Sequence, residues 1–210
     1  MNTITENRIT RVFKEQSNKP LFIPYMTAGD PAPGVTVDLV TALTEAGADI
    51  IELGVPYSDP LADGPIIQAA SERALKHGVS LTTVLEMAAD VRNNGITVPL
   101  VLFTYFNPIL QMGIDRLCEQ AASVGFDGMI VPDLPYEENA LLLTAAERNG
   151  LALIPLVAPT SEKRIQRLVS NAQGFVYCVS SLGTTGARDS FADNTLSFLD
   201  QVRQLSPIPI

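Results

Sequence analysis

The sequence predicts an α/β fold in which parallel strands alternate with helices. Six short apolar runs recur along the 210 residues, and each is followed by a segment with helical spacing. Parallel neighbours in a sheet need a crossover connection, which a helix supplies. The runs are apolar throughout, as expected for strands that are buried on both faces. Because no shift in composition divides the chain, we expect a single domain over residues 1–210.

The elements can be placed in order along the chain. Ile9, Val12 and Phe13 follow helical spacing, which predicts an amphipathic opening helix. The predicted strands are residues 21–26, 50–54, 100–104, 129–131, 153–157 and 175–179. The predicted later helices are residues 35–46, 66–77, 82–93, 114–124, 137–149, 162–170 and 194–205. Four of these helices are followed by a glycine that suits a left-handed C-cap, namely Gly47, Gly95, Gly125 and Gly150.

Two architectures fit this alternation, an open doubly wound sheet and a (β/α)8 barrel. The segment after the first strand lacks the G-x-G-x-x-G pattern of dinucleotide-binding open sheets, which favours the barrel. Six strand–helix units are followed by residues 206–210, which are typical of entry into a further strand. Since a complete barrel has eight strands, we expect a barrel truncated near the start of strand seven, with strands seven and eight absent from this chain.

Composition argues against several classes of partner. Lys+Arg 14 against Asp+Glu 23 gives a net charge of -9, so there is no basic stripe for nucleic acid or for an anionic membrane surface. No apolar run is long enough to cross a bilayer, and the first residues lack the features of a secretion signal. Cys118 and Cys178 fall in a predicted helix and a predicted strand, where free thiols are expected. These features predict a cytoplasmic protein that binds neither nucleic acid nor membrane.

The residue inventory also narrows the chemistry. His77 is the only histidine, and no Cys/His cluster suggests a zinc site. No lysine ends a predicted strand, so a Schiff-base mechanism lacks its amine. Carboxylates, tyrosines and glycine loops remain, and they suit proton transfer on a substrate that carries its own electron sink. We therefore expect neither a metal nor a cofactor in this chain.

A carboxylate at the end of an apolar strand is the most informative feature. Glu52 lies in the apolar run 48–54, and Asp63 lies in the loop that follows it. A charge on a buried strand is costly unless it is paired, exposed or used. Two converging carboxylates could form a general acid–base pair, with burial raising the pKa of the more buried one. Equally, Glu52 could be salt-bridged and Asp63 could be a turn residue before Gly64, and these residues alone leave both interpretations open.

Other polar residues follow the predicted strands, at the end where barrels carry their active sites. Tyr177 lies on the sixth strand, and the glycine-containing loop 183–186 could present backbone N–H groups to a phosphate. Phe22 and Ile130 could line a pocket or could simply belong to the core. Ser58-Asp59-Pro60 and Asn107-Pro108 are typical of turns.

Several of these segments together resemble the tryptophan synthase alpha subunit family. The matching segments are residues 22–31, 52–65, 131–135 and 183–186, together with Tyr105, Asn107 and Pro108. The resemblance runs through the whole chain. It implies a (β/α)8 barrel that cleaves indole-3-glycerol phosphate to indole and glyceraldehyde 3-phosphate. It also implies an alpha2-beta2 complex with a pyridoxal-phosphate-dependent beta subunit, which receives the indole.

The resemblance also implies roles for individual positions. The catalytic positions are Glu52, Asp63 and Tyr177. The substrate-binding positions of the indole pocket and the phosphate loop are Phe22, Ile130, Thr185 and Gly186. The positions that face the partner subunit are Tyr57, Ser58, Asp59 and Pro60.

Elementary chemistry agrees with the implied reaction. Retro-aldol cleavage leaves a carbanion that normally needs an iminium or a metal, but an indole protonated at C3 serves as its own electron sink. Two carboxylates then suffice, with Asp63 at the indole N–H and Glu52 moving protons at C3 and at the glycerol hydroxyl. Two alternatives stay open. One is another phosphate-binding barrel enzyme, such as a sugar-phosphate isomerase, and the other is a non-catalytic protein whose loop 57–65 only activates a second subunit.

Overall fold

Parallel strands alternate with helices in the computed structural model, which describes residues 7–17, 19–170, 172–179 and 195–210. The strands are β1 Tyr25–Thr27, β2 Ile51–Gly54, β3 Leu100–Phe103, β4 Gly128–Ile130, β5 Ala152–Leu153, β6 Leu156–Val157 and β7 Tyr177–Cys178. The α-helices are α1 Arg8–Glu15, α2 Thr36–Glu45, α3 Pro65–Lys76, α4 Leu81–Asn93, α5 Phe106–Met112, α6 Ile114–Ser123, α7 Ala140–Arg148, α8 Ile165–Val169 and α9 Thr195–Leu205. Short 3-10 helices cover Pro33–Val35, Tyr136–Glu138 and Pro159–Arg164. Of the helices described, none has the length and apolar character needed to span a membrane.

The strands pair in chain order, and all described pairs are parallel. One sheet has the order β1-β2-β3-β4-β5, and β6 pairs with β7 in a second. The predicted strand 153–157 is divided between the two sheets, because Pro155 has no N–H to donate to a ladder. At the far edge, the Val176 N–H donates to the Pro209 carbonyl at 2.8 Å. The predicted entry of residues 206–210 into a further strand therefore begins beside β7.

Side chains of the strands divide between two cores. On the outer face, residues such as Ile51 and Leu53 pack in one cluster with buried residues of the surrounding helices. On the inner face, a second cluster contains Ile50, Val101, Ile130, Ala152, Ile154 and Phe175. Successive residues of a strand point to opposite faces. A small inner core surrounded by strands and an outer layer of helices is the arrangement of a (β/α) barrel.

Helix α1 lies across the N-terminal ends of the strands, as a cap on the inner core. Ile9 is fully buried in the inner cluster, and Phe13 packs against that cluster. The Asn7 side-chain amide donates to the carbonyl of Asp127 at 2.7 Å and to that of Gly150 at 2.9 Å. The predicted opening helix is therefore confirmed, and it occupies the end of the barrel opposite the predicted site.

Helix α5 was not predicted. Asn107 and Pro108 read as a turn in the sequence, but they lie in the first turn of this helix, where a proline is tolerated because the N–H groups have no intrahelical partner. The Asp133 carboxylate accepts the Phe106 N–H at 2.9 Å and caps the helix from the loop after β4. That cap depends on a contact 27 residues away along the chain, so the local sequence carries no sign of it.

Candidate active site

Glu52 lies on the inner face of β2, at the end of the barrel away from α1. Its side chain is only 4% exposed, and its backbone N–H donates to the Pro24 carbonyl at 2.9 Å. Burial raises the pKa of Glu52 to about 7. In the described part of the chain no lysine or arginine forms an ion pair with Glu52. This carboxyl group can therefore both give and take a proton near neutral pH.

Asp63 lies at the end of the loop after β2, directly before α3. It is 7% exposed, and its backbone carbonyl accepts the Gln68 side-chain amide at 2.8 Å. Burial raises the pKa of Asp63, whereas a hydrogen bond from the Tyr105 side chain lowers it. Gly64 is the N-cap of α3, so the second carboxylate is fixed by the start of a helix.

Two tyrosines lie close to these carboxylates. Tyr25 is the register partner of Glu52. Burial, with a smaller effect from the charges of Asp63, Glu52 and Tyr177, raises the pKa of Tyr25 to about 12. Burial and the charge of Glu52 raise the pKa of Tyr177 to about 12 as well. The structure thus brings together Glu52, Asp63 and Tyr177, which were the predicted catalytic residues, and adds Tyr25.

Tyr25 fits here because Gly54 has no side chain. A Cβ atom on Gly54 would lie 2.2 Å from the Tyr25 hydroxyl oxygen, which no real side chain could tolerate. The ring of Phe103 meets the Tyr25 ring edge to face, with the centroids 5.4 Å apart. Tyr25 falls within the predicted strand 21–26, and no role was predicted for it. The signal that could have found it is the period-two alternation from Ile23, which packs against the inner cluster.

The two predicted indole-pocket residues are placed differently. Ile130 is fully buried in the inner cluster at the end of β4, beside Phe103. Phe22 is 51% exposed, and its backbone pairs with Asp49 on the N-terminal side of β1 and β2. Phe22 precedes Tyr25 by three positions, which in extended chain is a rise of about 10 Å. The structure therefore brings Ile130, but not Phe22, to the level of the carboxylates.

The predicted partner-facing segment follows β2 and lies at the surface. Ser58 and Asp59 are exposed, whereas Tyr57 and Pro60 are partly buried. The Ser58 hydroxyl donates to the Asp59 carboxylate at 2.6 Å. The predicted phosphate-loop residues Thr185 and Gly186 lie outside the described residues.

Metal-binding side chains do not gather in the part of the chain that the structure describes. Within it, no three His, Cys, Asp or Glu side chains are placed to hold an ion. Cys118 is buried and Cys178 is partly buried, and both are free thiols. The titratable side chains that the described part of the site brings together are carboxyl and phenol groups.

Comparison with protein families and curated sequences agrees with the geometry. Residues 13–210 match the family model described as tryptophan synthase alpha chain. The chain is 54% identical over 193 residues to the tryptophan synthase alpha chain of Geobacillus kaustophilus, covering 92% of this chain and 72% of the relative. It is 53% identical over 189 residues to that of Shouchella clausii, covering 90% of this chain and 70% of the relative.

Solved structures of the same family also resemble this chain. Mycobacterium tuberculosis tryptophan synthase superposes with a TM-score of 0.89 at 38% identity, covering 97% of this chain and 78% of that chain. The tryptophan synthase alpha chain of Legionella pneumophila superposes with a TM-score of 0.86 at 35% identity, covering 98% of this chain and 76% of that chain. These likenesses confirm the barrel over the open sheet. The chain belongs to the tryptophan synthase alpha chain family.

Proposed function

We propose that this chain cleaves indole-3-glycerol phosphate to indole and glyceraldehyde 3-phosphate in tryptophan biosynthesis, with Glu52 and Asp63 as the acid–base carboxylates. Membership of the family supports the reaction. The observation that carries the residue assignment is the burial of Glu52, which raises its pKa to about 7, at a site where Tyr25 feels the charges of both Glu52 and the buried Asp63. An acid–base group works best when its pKa lies near the working pH.

Glu52 moves both protons of the reaction. In its neutral form it donates a proton to C3 of the indole, which turns the ring into an iminium-like electron sink. The resulting carboxylate then removes the proton of the hydroxyl group on the adjacent glycerol carbon. The carbon–carbon bond breaks, its electron pair restores the aromatic indole, and the hydroxyl carbon becomes the aldehyde. Glu52 ends the cycle protonated, so no net proton is gained or lost.

Asp63 stabilises the positive charge that protonation of C3 places on the indole nitrogen. That charge develops only as the proton arrives, so an ionised carboxylate near the nitrogen favours the transition state more than the bound substrate. Asp63 must therefore be ionised while Glu52 begins protonated. Burial alone acts on the pKa of Glu52, whereas at Asp63 a hydrogen bond from the Tyr105 side chain opposes the rise in pKa that burial causes, which agrees with this division of roles.

The walls of the site supply an apolar surface for the indole ring. Ile130 belongs to the inner cluster and Phe103 packs against it. Tyr25 and Tyr177 lie near the carboxylates. Tyr177 is close enough to Glu52 for the charge of that carboxylate to raise the tyrosine's pKa. The proposed steps use the indole ring itself as the electron sink, and they call on no cofactor in this chain.

We also propose that the chain works in an alpha2-beta2 complex with the pyridoxal-phosphate-dependent beta subunit, which takes up the indole. Two of the structural neighbours are described as Mycobacterium tuberculosis tryptophan synthase. The exposed Ser58 and Asp59 lie on the loop that leads to Asp63, where a partner could contact the chain. The free thiols of Cys118 and Cys178 fit a reducing compartment, and we place the protein in the cytoplasm.

The reaction can be tested through its products. Purified protein is incubated with indole-3-glycerol phosphate, and indole and glyceraldehyde 3-phosphate are measured separately. We expect the two products in equal amounts. Conversion of sugar phosphates without indole release would instead support an isomerase.

Asp63→Asn separates the residue assignment from the family assignment. We expect kcat to fall by about 10²-fold or more, with KM changed much less, because the charge on the indole nitrogen exists only in the transition state. The matched control is Asp115→Asn, at an exposed position on α6. A rise in KM alone would contradict the role given to Asp63.

A further inference from the structure

Tyr105 lies behind the loop that carries Asp63, and its hydroxyl group contacts that loop twice. The residue follows β3 and is 2% exposed. Its hydroxyl oxygen accepts the Ala62 backbone N–H at 3.0 Å. The same hydroxyl forms a hydrogen bond with the Asp63 side chain. A phenol has one proton to donate and lone pairs to accept, so it can make both contacts at once.

The ring of Tyr105 is held in place by the loop after β2. Tyr57 stacks on it with the ring centroids 5.0 Å apart and the planes 28° from parallel. The Asn107 side-chain amide donates to the Tyr57 hydroxyl at 3.3 Å, which ties the outer ring to α5. An offset aromatic stack restricts both rings more than a simple apolar contact does. The Tyr105 hydroxyl therefore has a fixed position relative to Asp63.

We propose that Tyr105 is a positioning residue, which orients the Asp63 carboxylate for the reaction. The ring of Tyr57, stacked on Tyr105, holds the Tyr105 side chain in position. The inference rests on the proposed function of Asp63. Tyr105 acts through Asp63 and the Ala62 amide, and it needs no contact with the substrate. Because Tyr57 directly precedes the exposed residues Ser58 and Asp59, the same stack joins the surface of the loop to the second carboxylate.

The hydrogen bond has an electrostatic effect in addition to its geometric one. A donor to a carboxylate favours the ionised form, and the Tyr105 side chain lowers the pKa of Asp63. Burial raises the pKa of Tyr105, so the phenol keeps its proton at neutral pH. Removal of the hydroxyl should therefore raise the pKa of Asp63 and delay its ionisation to higher pH. A residue with a purely structural role would not shift this titration.

Tyr105→Phe is the direct test, because it removes the hydroxyl and keeps the ring. We expect kcat to fall about tenfold, as for the loss of a buried hydrogen bond that acts in the transition state. KM should stay within about twofold, and the acid limb of the pH profile of kcat/KM should move to higher pH. The control is Tyr136→Phe, because the ring of Tyr136 packs against the Arg167 guanidinium, 5.5 Å from the ring centroid, and not against the loop that carries Asp63. An unchanged kcat and acid limb in Tyr105→Phe, or a rise in KM alone, would overturn the proposal.

Substitutions of Tyr57 test the stack separately. Tyr57→Phe keeps the ring and loses only the contact with Asn107, so we expect activity within about twofold of the wild type. Tyr57→Leu removes the stack and should shift the acid limb in the same direction as Tyr105→Phe. Equal behaviour of the two Tyr57 variants would sink the role of the stack. Full activity of Asp63→Asn would refute the role proposed for Asp63, on which this inference rests, whereas an inactive Asp63→Asn beside a normal Tyr105→Phe would refute only the positioning role of Tyr105.

Discussion

Two buried carboxylates lie at opposite ends of the same parallel sheet, and their surroundings differ. Asp127 is 5% exposed and Glu52 is 4% exposed. Asp127 accepts hydrogen bonds from Arg8 at 2.6 Å, from Arg92 at 3.2 Å and from the Leu100 N–H at 3.0 Å. Glu52 has no such cation within the described ranges. Asp127 and Glu52 are thus almost equally buried, but only Asp127 is neutralised by cationic side chains.

Asp127 is part of a network that ties the N-terminal ends of the strands together. The Arg92 guanidinium also donates to the carbonyls of Ile96 at 2.8 Å, Val98 at 2.7 Å and Gly125 at 2.7 Å. Burial raises the pKa of Asp127, and the Leu100 amide and the two guanidiniums oppose that rise. The hydrogen bonds satisfy both ions, which is the condition for a buried pair to hold a structure together.

At Glu52 only burial acts on the pKa. Such a group destabilises the folded protein when it is ionised, and it persists where the chemistry requires it. Burial alone therefore does not mark a catalytic carboxylate. The partners decide whether a buried charge serves stability or proton transfer.

The largest effect on activity is expected for Glu52→Gln. We expect turnover to fall by about 10²–10⁴-fold, the usual contribution of a general acid–base group. The fold should remain, because the amide has nearly the shape of the carboxyl group and no described ion pair is lost. The measurement is indole release together with circular dichroism, with Glu119→Gln on α6 as the matched control. Near-normal turnover in Glu52→Gln would refute the catalytic assignment.

Asp127→Asn should lower the stability of the protein and leave its activity unchanged, the reverse of what is expected for Glu52→Gln. It leaves Arg8 and Arg92 without their counter-ion, and breaking a buried pair from one side costs about 3 kcal/mol. We expect the free energy of unfolding to fall by that order, while kcat of the folded fraction stays unchanged. Urea unfolding and single-temperature kinetics would separate the two effects. A loss of kcat without a loss of stability would mean that the two ends of the barrel are coupled.

The contrast between the two ends was only partly predictable from the sequence. Glu52 and Asp63 stood out because a charge on an apolar run is rare and a second carboxylate followed in the next loop. Asp127 did not stand out, because Arg8 and Arg92 reach it from positions 119 and 35 residues away. No local pattern encodes such a convergence.

The other differences between the sequence-based predictions and the structure also arise from contacts or geometry along the folded chain. The division of the fifth predicted strand could have been found, since a proline within a run argues against a continuous ladder. The placement of Tyr25 in the site required the alternation of side chains to be followed through β1. The stack of Tyr57 on Tyr105 joins loops from two strands, so it becomes visible only in the folded chain.

Glu52 should also make the stability of the folded protein depend on pH. The pKa of Glu52 is raised from its ordinary value of 4.5 to about 7. The unfolded chain therefore loses this proton at lower pH than the folded protein does. The contribution of Glu52 to stability is greatest below about 4.5, falls as the pH rises to about 7, and is constant above it.

Glu52→Gln should abolish that trend. At pH 8 we expect the variant to be more stable than the wild type by an amount on the order of 3 kcal/mol at most, and the difference should shrink towards pH 5. Chemical unfolding at both pH values measures it, again with Glu119→Gln as the control. A difference that does not vary with pH would show that the Glu52 carboxyl group is neutralised by a partner in the folded protein.

The smallest expected effect concerns Phe22, which lies near the α1 end of the strands, whereas Tyr25 lies near the carboxylates. Phe22 is half exposed, and exposed substitutions usually change free energies by less than about 0.5 kcal/mol. Phe22→Leu should therefore leave kcat/KM within about twofold of the wild type. Tyr25→Leu removes a ring that packs against Phe103 and over Gly54, and it should lower kcat/KM about tenfold or more. A larger loss in Phe22→Leu than in Tyr25→Leu would mean that the indole ring binds lower in the barrel than the carboxylates indicate.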